Sequence, residues 1–159
     1  MNDNKTELKG LGGWLILVGI GVVTTPILMV KDLLSSLELF GNGNFKLFIE
    51  QTSEINNPQL FYFIGGELIV NILLLITAIY AFYLFFSKDY RFPKFYIGLI
   101  ACYFLVLLLD TILLRIFFPQ VGALDEDSIK ELATSFVRTC IWIPYLLLSV
   151  RVKNTFVEK

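Results

Sequence analysis

The chain has 159 residues, 56% of them hydrophobic, and its 13 Lys and Arg against 14 Asp and Glu give a formal net charge of −1. Soluble domains contain about 45–50% apolar residues, so the excess has to be buried in lipid, and the near-neutral charge provides no long-range field for nucleic acid. Histidine is absent, which excludes imidazole-based acid–base catalysis, histidine haem ligation and zinc sites that need imidazole.

The first apolar run, residues 11–30, contains no charged residue. About 20 apolar residues cross a hydrocarbon core of about 30 Å, so the run predicts a transmembrane helix. A secretory signal is the competing interpretation, but the run is too long for one and no Ala-x-Ala-like cleavage site follows. Pro26 is a predicted helix break, and the hydroxyls of Thr24 and Thr25 beside it can bond the backbone groups that it frees.

Residues 31–59 form a predicted connecting segment, because Asn-Gly-Asn and Asn-Asn-Pro sequences within it favour turns. The apolar residues between positions 33 and 40 have helical spacing and could lie flat on the membrane surface. A mixed polar loop with a few packed aromatic residues is the alternative.

Two further apolar runs, residues 60–86 and 95–118, predict the second and third transmembrane helices. The turn between them, residues 87–94, is short, which makes the two helices antiparallel neighbours. A proline near its end is suited to the first turn of the following helix.

The fourth predicted helix covers residues 132–150 and follows an acidic loop, residues 119–131. Ser128 and Glu131 have the spacing of a capping box at its start. Pro144 removes one backbone hydrogen bond inside it and is the second predicted helix break.

Basic residues are distributed unequally between the two sides of these four helices. Eight Lys and Arg flank the side of both termini and three flank the other side, while the acids run the other way, four against eight. Short-loop basic residues mark the cytoplasmic side. The sequence therefore predicts an all-α, four-helix transmembrane bundle, N-in/C-in. In this single domain, residues 1–159, segments 1–10, 87–94 and 151–159 are cytoplasmic, while 31–59 and 119–131 face outward.

Polar residues fall in the outer half of all four helices, by depths counted at about 1.5 Å per residue. A charge at mid-helix costs about 2.5–3.5 kcal/mol, so these side chains should point inward and pair, Arg138 with Glu67 or Asp110. Structural glue between helices, a ligand, lipid-headgroup or ion site, and a contact surface for a membrane partner all remain open. The predicted network comprises Thr24, Thr25, Glu67, Asn71, Asp110, Arg115 and Arg138.

Three basic residues near the cytoplasmic ends, Arg91, Arg151 and Lys153, are predicted membrane anchors that also meet anionic lipid headgroups. The two cysteines, Cys102 and Cys140, lie inside apolar runs and are predicted to be buried. The sequence predicts no metal site and no cofactor.

Several motifs are shared with a known family. They are Gly-Leu-Gly-Gly-Trp-Leu-Ile-Leu at 10–17, Arg91-Phe-Pro93, Ile-Trp-Ile-Pro-Tyr at 141–145, Ser149, Arg151-Val-Lys153 and Thr155-Phe156. Together they resemble the domain-of-unknown-function 2569 family, small bacterial inner-membrane proteins with four predicted helices. The resemblance extends from Gly10 to Val157, and Glu67 and Asp110 match positions where that family carries acids. It implies the topology and implies no activity.

The predicted function is that of a non-enzymatic accessory or lipid- or partner-binding protein that uses the outer polar layer. The alternative is a small ion-coupled transporter or carrier acting as an oligomer, in which Glu67 and Asp110 titrate. An intramembrane enzyme is disfavoured because no Ser/His or Ser/Lys pair is present; an immunity protein fits the size but has no residue-level support. The expected partners are membrane lipids, another membrane protein or a second copy of this chain, and no nucleic acid.

Overall fold

A computed structural model describes residues 9–41, 58–119 and 126–157. Within these ranges 88% of the residues are helical and none is in a strand, so the all-α class is confirmed. Parts of the predicted N-terminus, outward loops and C-terminal tail, residues 1–8, 42–57, 120–125 and 158–159, lie outside the described residues. The helices are α1 (Trp14–Phe40), α2 (Pro58–Phe86), α3 (Phe92–Phe117), α4 (Glu126–Leu148) and α5 (Val150–Thr155).

Three helices are long and apolar enough to cross a membrane, at Trp14–Glu38, Pro58–Phe86 and Phe92–Phe117. Their large apolar side chains are widely exposed, for example Ile69 at 62% and Ile116 at 64%. Exposure of this extent suits a lipid environment, because water would make it costly.

The first helix is longer than its apolar run. Residues 31–40 do not form a loop: they are helical, as the spacing of their apolar residues predicts, and they continue α1 to Phe40. The hydroxyls of Ser35 and Ser36 donate to helix carbonyls one turn earlier, at 3.2 and 3.0 Å. No glycine or proline occurs between Lys31 and Phe40, so nothing in this stretch stops the helix.

Neither proline predicted as a helix break ends its helix. Pro26 lies inside α1 and Pro144 inside α4. The interruption comes instead at Ser149, whose extended backbone (φ −67°, ψ 121°) separates α4 from α5. The Ser149 hydroxyl accepts a hydrogen bond from the backbone N–H of Val152 at 3.4 Å and so caps the short helix.

The long helices pack in chain order, with α1 against α2, α2 against α3 and α3 against α4. The first and last of them, α1 and α4, do not pack closely along their described residues. We call the gap between α1 and α4 the seam.

Most of the buried apolar residues lie at one end of the molecule, which we call the packed end. It combines the start of α1, the end of α2, the start of α3 and the end of α4 with α5, and Leu15, Leu84 and Phe92 there are fully buried. The Phe92 ring lies 4.6 Å from that of Phe156 and 5.0 Å from that of Phe85, measured between centroids. The opposite end is called the cavity end.

The two cysteines are not buried. Cys102 and Cys140 are free thiols, and both side chains are exposed. The prediction of burial was wrong because an apolar residue of a membrane helix can face lipid as readily as a protein core.

Candidate functional site

Two cavities lie side by side at the cavity end. The first, which we call the acidic cavity, has a volume of about 160 Å³ and is lined by all four long helices. Four of its lining residues are carboxylic acids and none is Lys or Arg. Its polar lining is Asp32, Ser36, Glu67, Asn71, Tyr103, Asp110 and Glu131.

The second cavity, which we call the mixed-charge cavity, occupies the seam and has a volume of about 350 Å³. Residues of α1 and α4 form most of its lining, and Tyr103 of α3 also lines it. It brings acids, bases and hydroxyls together with two apolar side chains, Leu28 and Met29. Its polar lining is Thr25, Asp32, Tyr103, Lys130, Glu131, Thr134, Ser135 and Arg138.

The two cavities share part of their lining. Met29, Asp32, Tyr103 and Glu131 border both. The Tyr103 hydroxyl donates a hydrogen bond of 2.8 Å to Oε1 of Glu131, which ties α3 to α4 at this boundary. The acidic cavity is therefore the inward continuation of the mixed-charge cavity.

An apolar groove opens on the other side of the acidic cavity, between α2 and α3. It has a volume of about 380 Å³, and Glu67 and Asp110 line both this groove and the acidic cavity. Its remaining lining is apolar or aromatic apart from Gly66, and it contains no Lys or Arg.

Five of the seven predicted network residues line these cavities. Glu67 and Asn71 line the acidic cavity together, as their spacing of four residues on one helix predicts, and Asp110 of α3 lines it with them. Thr25 and Arg138 line the mixed-charge cavity.

The other two residues of the predicted network lie apart. The Thr24 side chain is exposed, and its hydroxyl donates to the Ile20 carbonyl at 2.9 Å rather than to the Val22 carbonyl that Pro26 frees. Arg115 is exposed in the last turn of α3. Placing these residues in the outer half of the membrane did not determine the direction in which each side chain points.

The expected ion pair of Arg138 with Glu67 or Asp110 is not formed. Among the described residues the one ion pair within 4 Å joins Asp89 and Arg91. The carboxyl groups of Asp110 and Glu131 both lie within electrostatic range of Glu67, so acids rather than a base surround it. The cavities hold Arg138 and the Glu67–Asp110 pair in adjoining spaces.

Sequence reasoning missed seven polar residues of the two cavities, and three of them, Asp32, Tyr103 and Glu131, border both. Asp32 falls in the predicted loop and reaches the cavities because α1 continues through it. Glu131 was taken for half of a capping box, but α4 already includes Glu126, so Ser128 lies inside the helix. Spacing was an available signal, since Thr25, Met29, Asp32 and Ser36 recur every three or four residues on one face of α1.

The motifs shared with the known family meet at the packed end rather than at the cavities. The backbone N–H of Gly10 donates to Oγ1 of Thr155 at 2.9 Å. The Arg151 guanidinium lies over the glycine turn, and a Cβ on Gly12 would be 2.5 Å from its Nη1. Gly13 has φ +59°, which favours glycine, so this turn both bends sharply and admits the arginine.

The predicted anchors near the cytoplasmic ends have different surroundings. Arg151 is half-buried against the glycine turn, while Lys153 is exposed. Nη2 of Arg91 forms an ion pair of 2.8 Å with Asp89, whose backbone and side chain are 5% exposed. The hydrogen bonds from the Arg91 side chain and backbone N–H hold the pKa of Asp89 below its usual value and raise the pKa of Arg91.

In the described ranges no group of three or more Cys, Asp or Glu side chains is arranged to hold a metal ion. The four acids of the acidic cavity lie on four different helices.

Comparison with known proteins identifies a family. No curated protein sequence and no solved structure matches the chain. A family model described as "Protein of unknown function (DUF2569)" matches residues 8–157, nearly the whole chain. The match covers the motifs of the packed end and the helices that line both cavities, and the chain therefore belongs to the DUF2569 family.

Proposed function

We propose that the chain is a non-enzymatic, multi-pass protein of the bacterial inner membrane that binds a membrane lipid, with the lipid headgroup in the mixed-charge and acidic cavities. One observation carries the proposal: the seam between α1 and α4 holds a charged cavity that continues inward to a second one. A gap between membrane helices faces the bilayer, so its natural occupant comes from the bilayer.

The proposed arrangement has four membrane-crossing helices with both termini in the cytoplasm. Three helices have the length and composition to cross, and α4 packs along α3 and exposes Phe136, Ile141 and Leu148. The excess of basic residues on the side of the termini supports the orientation. The cavity end then faces outward, and the headgroup site lies within reach of the outer leaflet.

The balance of charge and apolar surface in the seam favours a lipid over a soluble ligand. Leu28 lines the mixed-charge cavity and is 54% exposed, so apolar surface is continuous from the helix exterior to the cavity. A headgroup can enter sideways while its acyl chains stay along that surface. Charges placed at this depth are costly unless they meet partners, and a charged headgroup supplies them.

The groove between α2 and α3 is the other lateral opening to the acidic cavity. Its lining contains no Lys or Arg to receive a phosphate, whereas the mixed-charge cavity contains Arg138. The seam is therefore the opening that we assign to a phospholipid. The absence of histidine from the sequence supports a binding role rather than a catalytic one.

Native mass spectrometry of the full chain, released from its own membrane in mild detergent, tests the proposal. The unaltered protein should carry a stoichiometric phospholipid, and Thr134→Phe, which puts a ring into the mixed-charge cavity, should reduce the bound fraction about tenfold. Ala133→Phe is the matched control, because Ala133 is the exposed neighbour on α4 and lies outside that lining.

Three outcomes would overturn the lipid-binding proposal. They are a bare unaltered protein, an extra protein mass in place of a lipid, and equal lipid retention by Thr134→Phe and Ala133→Phe. The second outcome would point to a membrane partner or a second copy of the chain in the seam.

A further inference from the structure

We propose that the bound lipid is a phospholipid whose headgroup carries a primary ammonium beyond its phosphate, as in phosphatidylethanolamine. The phosphate binds at Arg138 in the mixed-charge cavity, and the ammonium lies among the carboxyl groups of the acidic cavity. This inference rests on the proposed lipid-binding function and adds the class of headgroup.

The anion side of the site is formed by Arg138. Its side chain is half-buried and lines the mixed-charge cavity, and it forms no hydrogen bond or ion pair with any described residue. A guanidinium presents a planar fork of N–H donors that matches phosphate oxygens. Thr134, which lines the same cavity, adds a hydroxyl that can donate to the same phosphate.

The cation side is formed by the acidic cavity. Its four carboxylic acids have no Lys or Arg among the lining residues, and none of them forms an ion pair with a described base. Clustered carboxylates in a partly desolvated space repel one another unless a cation compensates them. A primary ammonium supplies the positive charge and three N–H donors, for which the carboxylates and the Asn71 carbonyl oxygen are acceptors.

The order of the charges along the path matches the order of groups in the headgroup. When a phospholipid headgroup enters from the bilayer, its phosphate stays nearer to the acyl chains and the entrance, and its ammonium reaches further into the protein. Arg138 lines only the outer, mixed-charge cavity, Glu131 borders both cavities, and Glu67 and Asp110 line the inner one. Glu131 and Arg138 are seven residues apart on α4, about two turns, and so share one face of that helix.

This arrangement discriminates between common membrane lipids. Phosphatidylglycerol has the phosphate but no cation, so it would leave the inner carboxylates without compensation. Phosphatidylcholine has the charge but its quaternary ammonium has no N–H donor, so it cannot hydrogen-bond to them. Phosphatidylethanolamine satisfies both sides of the site.

Competitive lipid exchange on the purified full chain tests the inference. The protein is incubated with mixed micelles that contain equal amounts of phosphatidylethanolamine, phosphatidylcholine and phosphatidylglycerol with identical acyl chains, and bound lipid is read by native mass spectrometry. We expect about a tenfold preference for phosphatidylethanolamine over phosphatidylglycerol and a smaller preference over phosphatidylcholine.

A double variant that replaces two carboxylates of the acidic cavity with amides tests the inner site. Glu67→Gln with Asp110→Asn should lower the ratio of bound phosphatidylethanolamine to bound phosphatidylglycerol about tenfold, because it removes carboxylate acceptors of the ammonium and leaves Arg138 for the phosphate. The matched control is Glu38→Gln with Glu126→Gln, which removes two exposed carboxylates outside the lining of both cavities.

The outcomes separate this inference from the function on which it rests. Equal or stronger retention of phosphatidylglycerol by the unaltered protein overturns the headgroup assignment and leaves lipid binding standing. An unchanged preference in a folded Glu67→Gln, Asp110→Asn variant also overturns it. Failure to retain any phospholipid overturns the proposed function together with the inference.

Discussion

The packed end and the cavity end use the same four helices in opposite ways. At the packed end Leu84 and Phe92 are fully buried. The ring centroids of Phe85, Phe92 and Phe156 lie within 6 Å of one another. At the cavity end acids and hydroxyls surround open space, and α1 and α4 leave a gap. The family motifs lie at the first end, and the proposed site lies at the second.

The difference suggests a division of roles: the packed end holds the helices together, and the cavity end carries the proposed binding site. Close packing supplies dispersion contacts that hold helices together in lipid, where burial of apolar surface supplies little. The cavity end gives up such contacts and collects charges that are costly without a ligand. The motifs at the packed end therefore describe how the helices are held, whereas the proposed ligand would bind at the other end.

The largest expected effect concerns which end faces the cytoplasm. In a Cys102→Ala, Cys140→Ala background, Gln59→Cys at the cavity end should react with a membrane-impermeant maleimide in intact spheroplasts. Lys153→Cys at the packed end should react only after the membrane is opened. The reverse labelling pattern would mean that the cavity end faces the cytoplasm, and it would place the proposed headgroup site at the inner leaflet.

A matched pair of leucine truncations compares packing at the two ends. Leu84→Ala removes a fully buried side chain at the packed end and should lower the free energy of unfolding by about 3 kcal/mol. Leu107→Ala removes a half-buried side chain that already borders the acidic cavity and should cost about 1 kcal/mol or less. Unfolding in mixed detergent measures both, and equal losses would mean that the two ends are equally well packed.

The smallest expected effect is a pH dependence of stability at the packed end. Because the pKa of Asp89 is lowered in the folded protein, its ion pair stabilises the fold above the carboxyl's ordinary pKa of about 4. That contribution is lost as the pH falls through the lower folded-state pKa. The Asp89→Asn variant lacks this ion pair at every pH. The wild type should therefore be more stable than the variant by a constant amount near neutral pH.

Thermal unfolding of both proteins across the acid range measures this dependence. The difference in stability between wild type and Asp89→Asn should shrink towards zero below about pH 4. Glu38→Gln is the control, since it removes an exposed carboxylate on α1 that forms no ion pair with a described residue. A difference that stays constant down to acid pH would show that the Asp89–Arg91 pair contributes nothing.

Local sequence patterns predicted the helical content and three of the polar residues that line the acidic cavity, Glu67, Asn71 and Asp110. Glu67 and Asn71 are four residues apart, so any helix through them puts both on one face. Patterns within one segment predicted helix boundaries less well: α1 continued past Lys31, and α4 began at Glu126 and ended at Leu148. A proline removes one hydrogen bond, which the neighbouring turns and packing can tolerate.

Relations between segments could not be read from the chain in the same way. Depth counting placed Arg138 near Glu67 and Asp110, yet Arg138 lines the mixed-charge cavity while Glu67 and Asp110 line the adjoining acidic cavity. Tyr96, whose position near a helix end resembles that of an interface anchor, is 3% exposed in the core. Both cases depend on how the helices are rotated about their axes, which the spacing within one helix leaves undetermined.

Composition and periodicity by themselves determined that the chain is helical and suited to a membrane, and that acids, an arginine and hydroxyls lie towards one end of its helices. Hydrophobic run length and the helical repeat are local properties, so the sequence carries them directly. The tertiary structure decided that α1 and α4 stand apart, that Asp32, Tyr103 and Glu131 join the site, and that Arg138 faces a different space from Glu67. Those relations arise from the packing of side chains between distant segments. The helices pack closely at the packed end and leave cavities between them at the other end.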